Sequence, residues 1–241
     1  MHIIVTRPEA DAADLMQQLR GLGHTVVSSP LLTMRPTPVA LQLDGVQAVI
    51  ATSRNALRAI SETPHLDKLQ RLPLFVVGPA SARLARELGF TDVTAGDRGA
   101  RELATAVAQS SSAAGGAMLY LSGDEVAFDM PSALVETGFD VRRQVVYEAV
   151  QASQLPEAVR ADIRDGKADA VVLMSPRTAK LFGKLTVDAG VAEQARGIVH
   201  LCLSPAVASA VGTSAKRVMV ADRPSSEEML ALVKELASNH P

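Results

Sequence analysis

No tryptophan occurs in this 241-residue sequence, and aromatic residues make up 3% of it. So few rings do not build the stacking platform on which single-stranded nucleic acid is held. Charge of neither sign dominates: 24 Lys and Arg stand against 26 Asp and Glu, a formal net charge of -2. A nucleic-acid partner would leave a basic patch or stripe, so none is expected. The single cysteine, Cys202, excludes an internal disulfide framework and fits a reducing compartment. Its place within an apolar strand makes it a buried structural thiol rather than a nucleophile. No apolar stretch approaches the roughly 20 residues of a membrane span. The start, Met1-His2-Ile3-Ile4-Val5-Thr6, runs straight into a strand and lacks the features of a secretory signal. The expectation is a cytoplasmic protein with neither membrane nor nucleic acid as partner.

Familiar chemical signatures are missing too. There is no G-x-G-x-x-G after a strand, no phosphate-binding G-x-x-x-x-G-K-[ST], no H-E-x-x-H and no G-x-S-x-G elbow. The histidines His2, His24, His65, His200 and His240 are scattered without metal-ligand spacing. Neither a metal nor a cofactor is expected.

What is present is an alternation of short apolar runs with helical patterns, in a chain that is 47% hydrophobic. Val171-Val172-Leu173-Met174 ends in Ser175-Pro176 and opens a helix through Phe182. Serine is a strong N-cap and proline suits the first helical turn. The same corner recurs at Ala51-Thr52-Ser53, Val77-Gly78-Pro79, Leu121-Ser122-Gly123 and Leu203-Ser204-Pro205, with a helix expected after each. Alternating strands and helices give an α/β protein with parallel sheets flanked by helices.

The runs also repeat. Residues 49–57 align with 171–179, and 75–82 with 201–208; 119–123 resembles 4–7. Two similar lobes with permuted order follow: an inserted α/β lobe at 39–143, and a composite α/β lobe from 1–30 plus 152–241. The extended stretches 31–38 and 144–151 are expected to join them as a two-stranded antiparallel β linker. A ligand is expected in a cleft between the lobes, facing the carboxyl edges of both sheets.

The candidates for that site are hydroxyls at strand ends: Thr6, Ser53, Ser122 with Gly123, Ser175 and Ser204, with Ser81 one helical turn in. Each alone reads as an ordinary helix cap worth about 0.5–2 kcal/mol. Gathered on one cleft, they form a set of neutral donors suited to a large polyanion. Arg7, Arg54 and Arg177 lie beside the corners and read equally as surface arginines. Tyr147 reads either as a packing aromatic or as a phenol able to donate a proton or hydrogen bond.

Val5-Thr6-Arg7-Pro8, Thr52-Ser53 with Asn55-Ala56, Val77-Gly78-Pro79 with Ser81-Ala82, Val146-Tyr147 and Met174-Ser175-Pro176 together resemble the uroporphyrinogen-III synthase family. The resemblance runs over nearly the whole chain. It implies two α/β lobes joined by a β-ladder, and hydroxymethylbilane, a linear tetrapyrrole with eight carboxylates, as substrate. The implied reaction is loss of water, cyclisation and inversion of the terminal pyrrole ring, without cofactor or metal. A monomer is implied, with room for transient contact with the preceding pathway enzyme.

Carried over residue by residue, Tyr147 matches the family's tyrosine proposed to assist departure of the hydroxyl. Ser53, Ser81 and Ser175 match hydroxyls that approach substrate carboxylates, Ser81 standing where threonine is commoner. Ala206 and Val207 depart from the family, many of whose members carry hydroxyl residues there; backbone N–H groups remain. The reading from a different class is a non-catalytic two-lobed module that binds an anion or a tetrapyrrole for regulation.

Overall fold

A computed structural model describes residues 1–96 and 99–238; His240 lies outside them. The first apolar run forms β1 (His2–Val5), followed by α1 (Glu9–Gly21), β2 (Thr25–Ser28) and β3 (Leu32–Pro36). Next come β4 (Val46–Ala51), α2 (Arg54–Ile60), α3 (Leu66–Leu69), β5 (Leu74–Val77) and α4 (Gly78–Glu87). They lead to β6 (Val93–Gly96), α5 (Ala100–Ser110), β7 (Ala117–Gly123), α6 (Met130–Val135) and β8 (Val141–Gln151). The rest is α7 (Glu157–Arg164), β9 (Ala170–Leu173), α8 (Pro176–Asp188), α9 (Ala192–Gly197), β10 (Val199–Cys202), α10 (Pro205–Val211), β11 (Arg217–Val220) and α11 (Ser226–Ser238). No helix among the described residues is long and apolar enough to cross a membrane.

The chain divides into two compact units, Met1–Thr33 with Val150–Pro241, and Met34–Ala149. The first holds a sheet ordered β11-β10-β9-β1-β2, the second a sheet ordered β3-β8-β7-β4-β5-β6. Pairing is parallel from β2 through β11 in one and from β8 through β6 in the other. Matched by the sequence repeats, β9 corresponds to β4, β10 to β5 and β1 to β7. Read in that correspondence, the two spatial orders are the same while the chain orders are permuted.

Parallel strands covered on both faces read as unbroken apolar runs, which is why alternation is faint in these sequences. In the continuous unit, Val49, Ala51, Leu119 and Leu121 pack on Leu57 and Ile60 of α2. Their neighbours Ala48, Ile50, Met118 and Tyr120 pack on Leu103 and Val107 of α5 and Leu134 of α6. In the composite unit, Ile3, Val5, Val172 and Leu201 face Leu15 and Leu19 of α1 and Met229 and Val233 of α11. On the other face His200 of β10 meets Phe182 of α8 edge to face, ring centroids 5.7 Å apart.

Several features differ from the sequence reading. The short helices α3 and α9 and the strand β6 were not expected from the sequence. The sequence reads as one long strand from Val141 to Ala149, and β8 is one; but its residues 144–147, expected in the linker, include partners of β7 and so belong to a sheet. The two passages of the chain between units fall at Thr33/Met34 in β3 and Ala149/Val150 in β8. The spacing of Ser225 and Glu228 in the sequence is that of a capping box, and only half of it forms. The Ser225 Oγ accepts the Glu228 N–H at 3.2 Å, while the Glu228 carboxylate accepts from Arg223.

Candidate active site

Open α/β sheets take ligands outside the carboxyl ends of their strands, where the strand order reverses direction. In the composite unit that point lies between β1 and β9, and in the continuous unit between β4 and β7. Most of the sequence-derived candidates stand at these two places.

In the composite unit β1 and β9 end side by side, Val5 opposite Val172. Thr6 is fully buried, and its Oγ1 donates to the Val172 carbonyl at 2.7 Å. The hydroxyl therefore fastens the ends of the two strands together. Ser175 caps α8: its Oγ accepts the Thr178 N–H at 3.1 Å, and Thr178 Oγ1 accepts the Ser175 N–H at 3.2 Å. This is a reciprocal box with threonine in the place usual for Glu or Gln. Ser204, at the end of the neighbouring strand β10, caps α10 by accepting the Val207 N–H at 3.4 Å. Ala206 is exposed on the first turn of that helix, where backbone donors lack a helical acceptor. Arg7 and Arg177 flank these corners.

In the continuous unit Ser53 caps α2 by accepting the Asn55 N–H at 3.2 Å, with the half-buried Arg54 next to it. Thr52 Oγ1 is 3.1 Å from the hydroxyl of buried Tyr120. Gly78 opens α4 with φ of 76°, a torsion that disfavours any side chain. Ser81 follows on that helix, 5% exposed.

The corner at Ser122 is not the strand-to-helix turn expected. β7 runs on through Ser122 and Gly123, so Ser122 caps nothing. The cap of α6 is Asp129, which accepts the Ser132 N–H at 3.1 Å. That bond, followed by one from the Ser132 hydroxyl, holds the Asp129 carboxyl below its usual range. Asp124 and Glu125 precede the helix instead of opening it.

Tyr147 meets Gly123 because of a β-bulge. Along β8, Arg143 pairs with Tyr120 and Val145 with Ser122, but the next pair is Tyr147 with Gly123. The extra residue, Val146, lets Tyr147 share with it the core face that packs against Leu119 and Leu121. Strict alternation would have kept Tyr147 on the face of Arg143 and Val145. Bulges of this kind re-aim a side chain. The ring now lies so close to Gly123 that an added Cβ would sit 2.7 Å from Tyr147 Cζ and 2.9 Å from its hydroxyl. The Asp124 N–H donates to the Tyr147 carbonyl at 3.1 Å and closes the bulge.

Arg143 was not singled out from the sequence. Its Nε donates to Ser122 Oγ at 2.9 Å, and its Nη2 to the carbonyls of Gly123 at 2.9 Å and Asp124 at 2.8 Å. Ser122 Oγ in turn donates to the Gly123 carbonyl at 2.9 Å. No pattern in Val141-Arg142-Arg143-Gln144 signals this, since a charged residue in a strand reads as solvated.

Two of the titratable groups lie away from these edges. Cys202 is fully buried in β10, and burial pushes its thiol up to about 11, so it stays protonated at neutral pH. His200, 1% exposed, is pushed below the ordinary histidine value by burial, against a smaller upward effect of its bond to the Ile198 carbonyl.

The family model described as uroporphyrinogen-III synthase HemD matches residues 13–231. Among curated proteins none matches the chain in sequence. Among solved structures, the uroporphyrinogen-III synthetase of Helicobacter pylori aligns with a TM-score of 0.70 at 20% identity, covering 98% of this chain and 99% of that one. A mutant uroporphyrinogen III synthase of Thermus thermophilus aligns with a TM-score of 0.59 at 17% identity, covering 100% of both chains. At these identities the likeness is one of fold.

Proposed function

Since the chain belongs to the uroporphyrinogen-III synthase family, a family of cofactor-independent cyclising enzymes of tetrapyrrole biosynthesis, we propose that its substrate is hydroxymethylbilane and its site the two strand-order reversals. The observation that carries the site is the meeting of Tyr147 with Gly123 at the end of β7, one strand from Ser53.

In this reading Tyr147 is the catalytic residue. Its phenol donates a proton, or a hydrogen bond, to the hydroxyl that leaves the bilane as water. The cation so formed can close unaided at the nearest position of the last ring. The protein must favour attack at the substituted carbon instead, and it does so by holding the bilane in one conformation. Carboxylates of the substrate are received by Ser53 and Ser81 in one unit and by the end of β7 at Ser122 and Gly123, there through the backbone, since the Ser122 hydroxyl already donates to the Gly123 carbonyl. Thr6, Arg7, Ser175, Ser204 and Ala206 serve in the other. Several of these hydroxyls already cap helices or join strands, so their main contribution is to present neighbouring backbone N–H groups. The proposed enzyme works as a cytoplasmic monomer and meets the preceding pathway enzyme only transiently.

The test is to add the protein to enzymatically generated hydroxymethylbilane and separate the oxidised products by chromatography. Excess of the type III isomer over the spontaneous type I isomer is the expected result. Type I alone, with tetrapyrrole binding retained, would make the protein a binding module.

A further inference from the structure

We propose that Arg143 is a positioning residue for Tyr147, which keeps the phenol over Gly123 through the backbone at the end of β7. The inference rests on the proposed role of Tyr147 and extends it to a residue on the opposite face of the sheet.

The geometry is that of a clamp. Arg143 and Ser122 project from one face, as the pairing of Arg143 with Tyr120 and Val145 with Ser122 requires. Tyr147 lies on the other face, placed there by the bulge. The segment between them is Ser122-Gly123-Asp124. From one side it receives three hydrogen bonds from a single guanidinium, to Ser122 Oγ, the Gly123 carbonyl and the Asp124 carbonyl. From the other side the phenol ring rests on Gly123.

Beyond Gly123 regular structure stops until Met130. A backbone tie at this point is the bond from the Asp124 N–H to the Tyr147 carbonyl. A second tie is the Asp124 carboxylate, which accepts the Ala149 N–H at 3.3 Å. Arg143 adds three bonds from the other side of the segment and so helps to set where the ring's support lies. A planar guanidinium with fixed donors suits three acceptors at once; an ammonium is a point charge and does not reproduce the pattern.

The chain has two tyrosines and no tryptophan. Ring resonances of protein labelled at tyrosine therefore report two sites, and Tyr147→Phe assigns them. In Arg143→Ala the Tyr147 ring signal should shift or broaden; Tyr120, the cross-strand neighbour of Arg143 on the same face, feels the lost side chain directly and is no reference. Turnover should fall by about 10- to 100-fold, the scale of an ångström-sized misplacement, with KM changed less than about threefold. Arg143→Lys should fall between wild type and Arg143→Ala, and it stands in should the alanine variant fail to fold.

Combined with Tyr147→Phe, Arg143→Ala should cost much less than it does alone, because most of its effect passes through the ring; the small remainder comes from Ser122 and Gly123, which it also holds. An unmoved Tyr147 resonance, a change in KM alone, or losses that multiply in the double variant would each overturn the proposal. Wild-type protein that forms no type III isomer would refute the proposed function. The resonance comparison would still decide whether Arg143 positions the ring.

Discussion

Replacing Gly123 with alanine adds one methyl group beneath the Tyr147 ring. Gly123 is not among the glycines with positive φ, so alanine can adopt its backbone torsions and the effect is one of space alone. The new carbon would meet Cζ at 2.7 Å, and Cε2 and the hydroxyl at 2.9 Å. Carbon atoms pack at about 3.5–4.0 Å, so the ring or the strand must retreat by about 1 Å. The core behind the ring resists, because Val146 and Leu121 already fill it. Overpacking of this kind costs about 1–3 kcal/mol when the surroundings absorb it. If the phenol swings away instead, stability changes little and turnover suffers, by roughly 100-fold for a displacement of that size. The assay is the rate and isomer ratio of uroporphyrinogen formed from hydroxymethylbilane, beside a thermal melt of the same protein. A folded Gly123→Ala variant with wild-type rate and isomer ratio would show that the working position of the phenol is not over Gly123.

Other outcomes follow from groups away from that contact. Thr6→Val should destabilise the protein by about 1–3 kcal/mol, because the buried Val172 carbonyl loses its donor; chemical denaturation measures this, and an unchanged midpoint would show that the bond contributes nothing. Ser175→Ala should remove about 0.5–2 kcal/mol of capping while lowering turnover only modestly, since backbone donors persist; a 100-fold loss of rate would contradict distributed recognition. His200 is held neutral in the fold, so its unfolded form takes up the proton first as pH falls through about 6.5. Stability should be full above that pH and decline below it, and His200→Asn should flatten the decline if the protein still folds. Cys202 should resist thiol reagents in native protein at a pH of about 8, below its raised value, and react once denaturant is added.

Much of the fold is written in local residue choices. Val46–Ala51 and Leu74–Val77 are largely apolar, and Ser53, Ser175 and Ser204 do cap the helices that follow them. The elements the sequence concealed are those stabilised from outside themselves. Val93-Thr94-Ala95-Gly96 is a short edge strand of small residues, defined by its pairing with β5. Helices as short as α3 and α9 lie below the length at which a sequence pattern favours a helix, and tertiary packing decides them. At the site, Tyr147 could be chosen for its chemistry but its direction could not be read. A bulge is one residue of slippage between two strands, and neither strand alone records it. Arg143 was hidden for the same reason, because its partners are a serine hydroxyl and two backbone carbonyls at the end of another strand.

The permuted chain order bears on how the protein emerges from the ribosome. All strands from β4 to β8 leave in one stretch, so that sheet can complete its ladder as soon as β8 is out. β1 and β2 leave first and wait. Ile3, Ile4 and Val5, fully buried in the finished fold, have no β9 beside them until residue 170 has been made. The intervening segment from Met34 to Ala149 takes on the order of 10 s to synthesise at about 5–20 residues per second. Throughout that interval the nascent chain carries a strand with an unpaired edge, a template for unwanted pairing. A substitution that weakens α1 or β2 thus burdens the growing chain more heavily than an equal loss in β4 or β5, whose partners arrive almost at once.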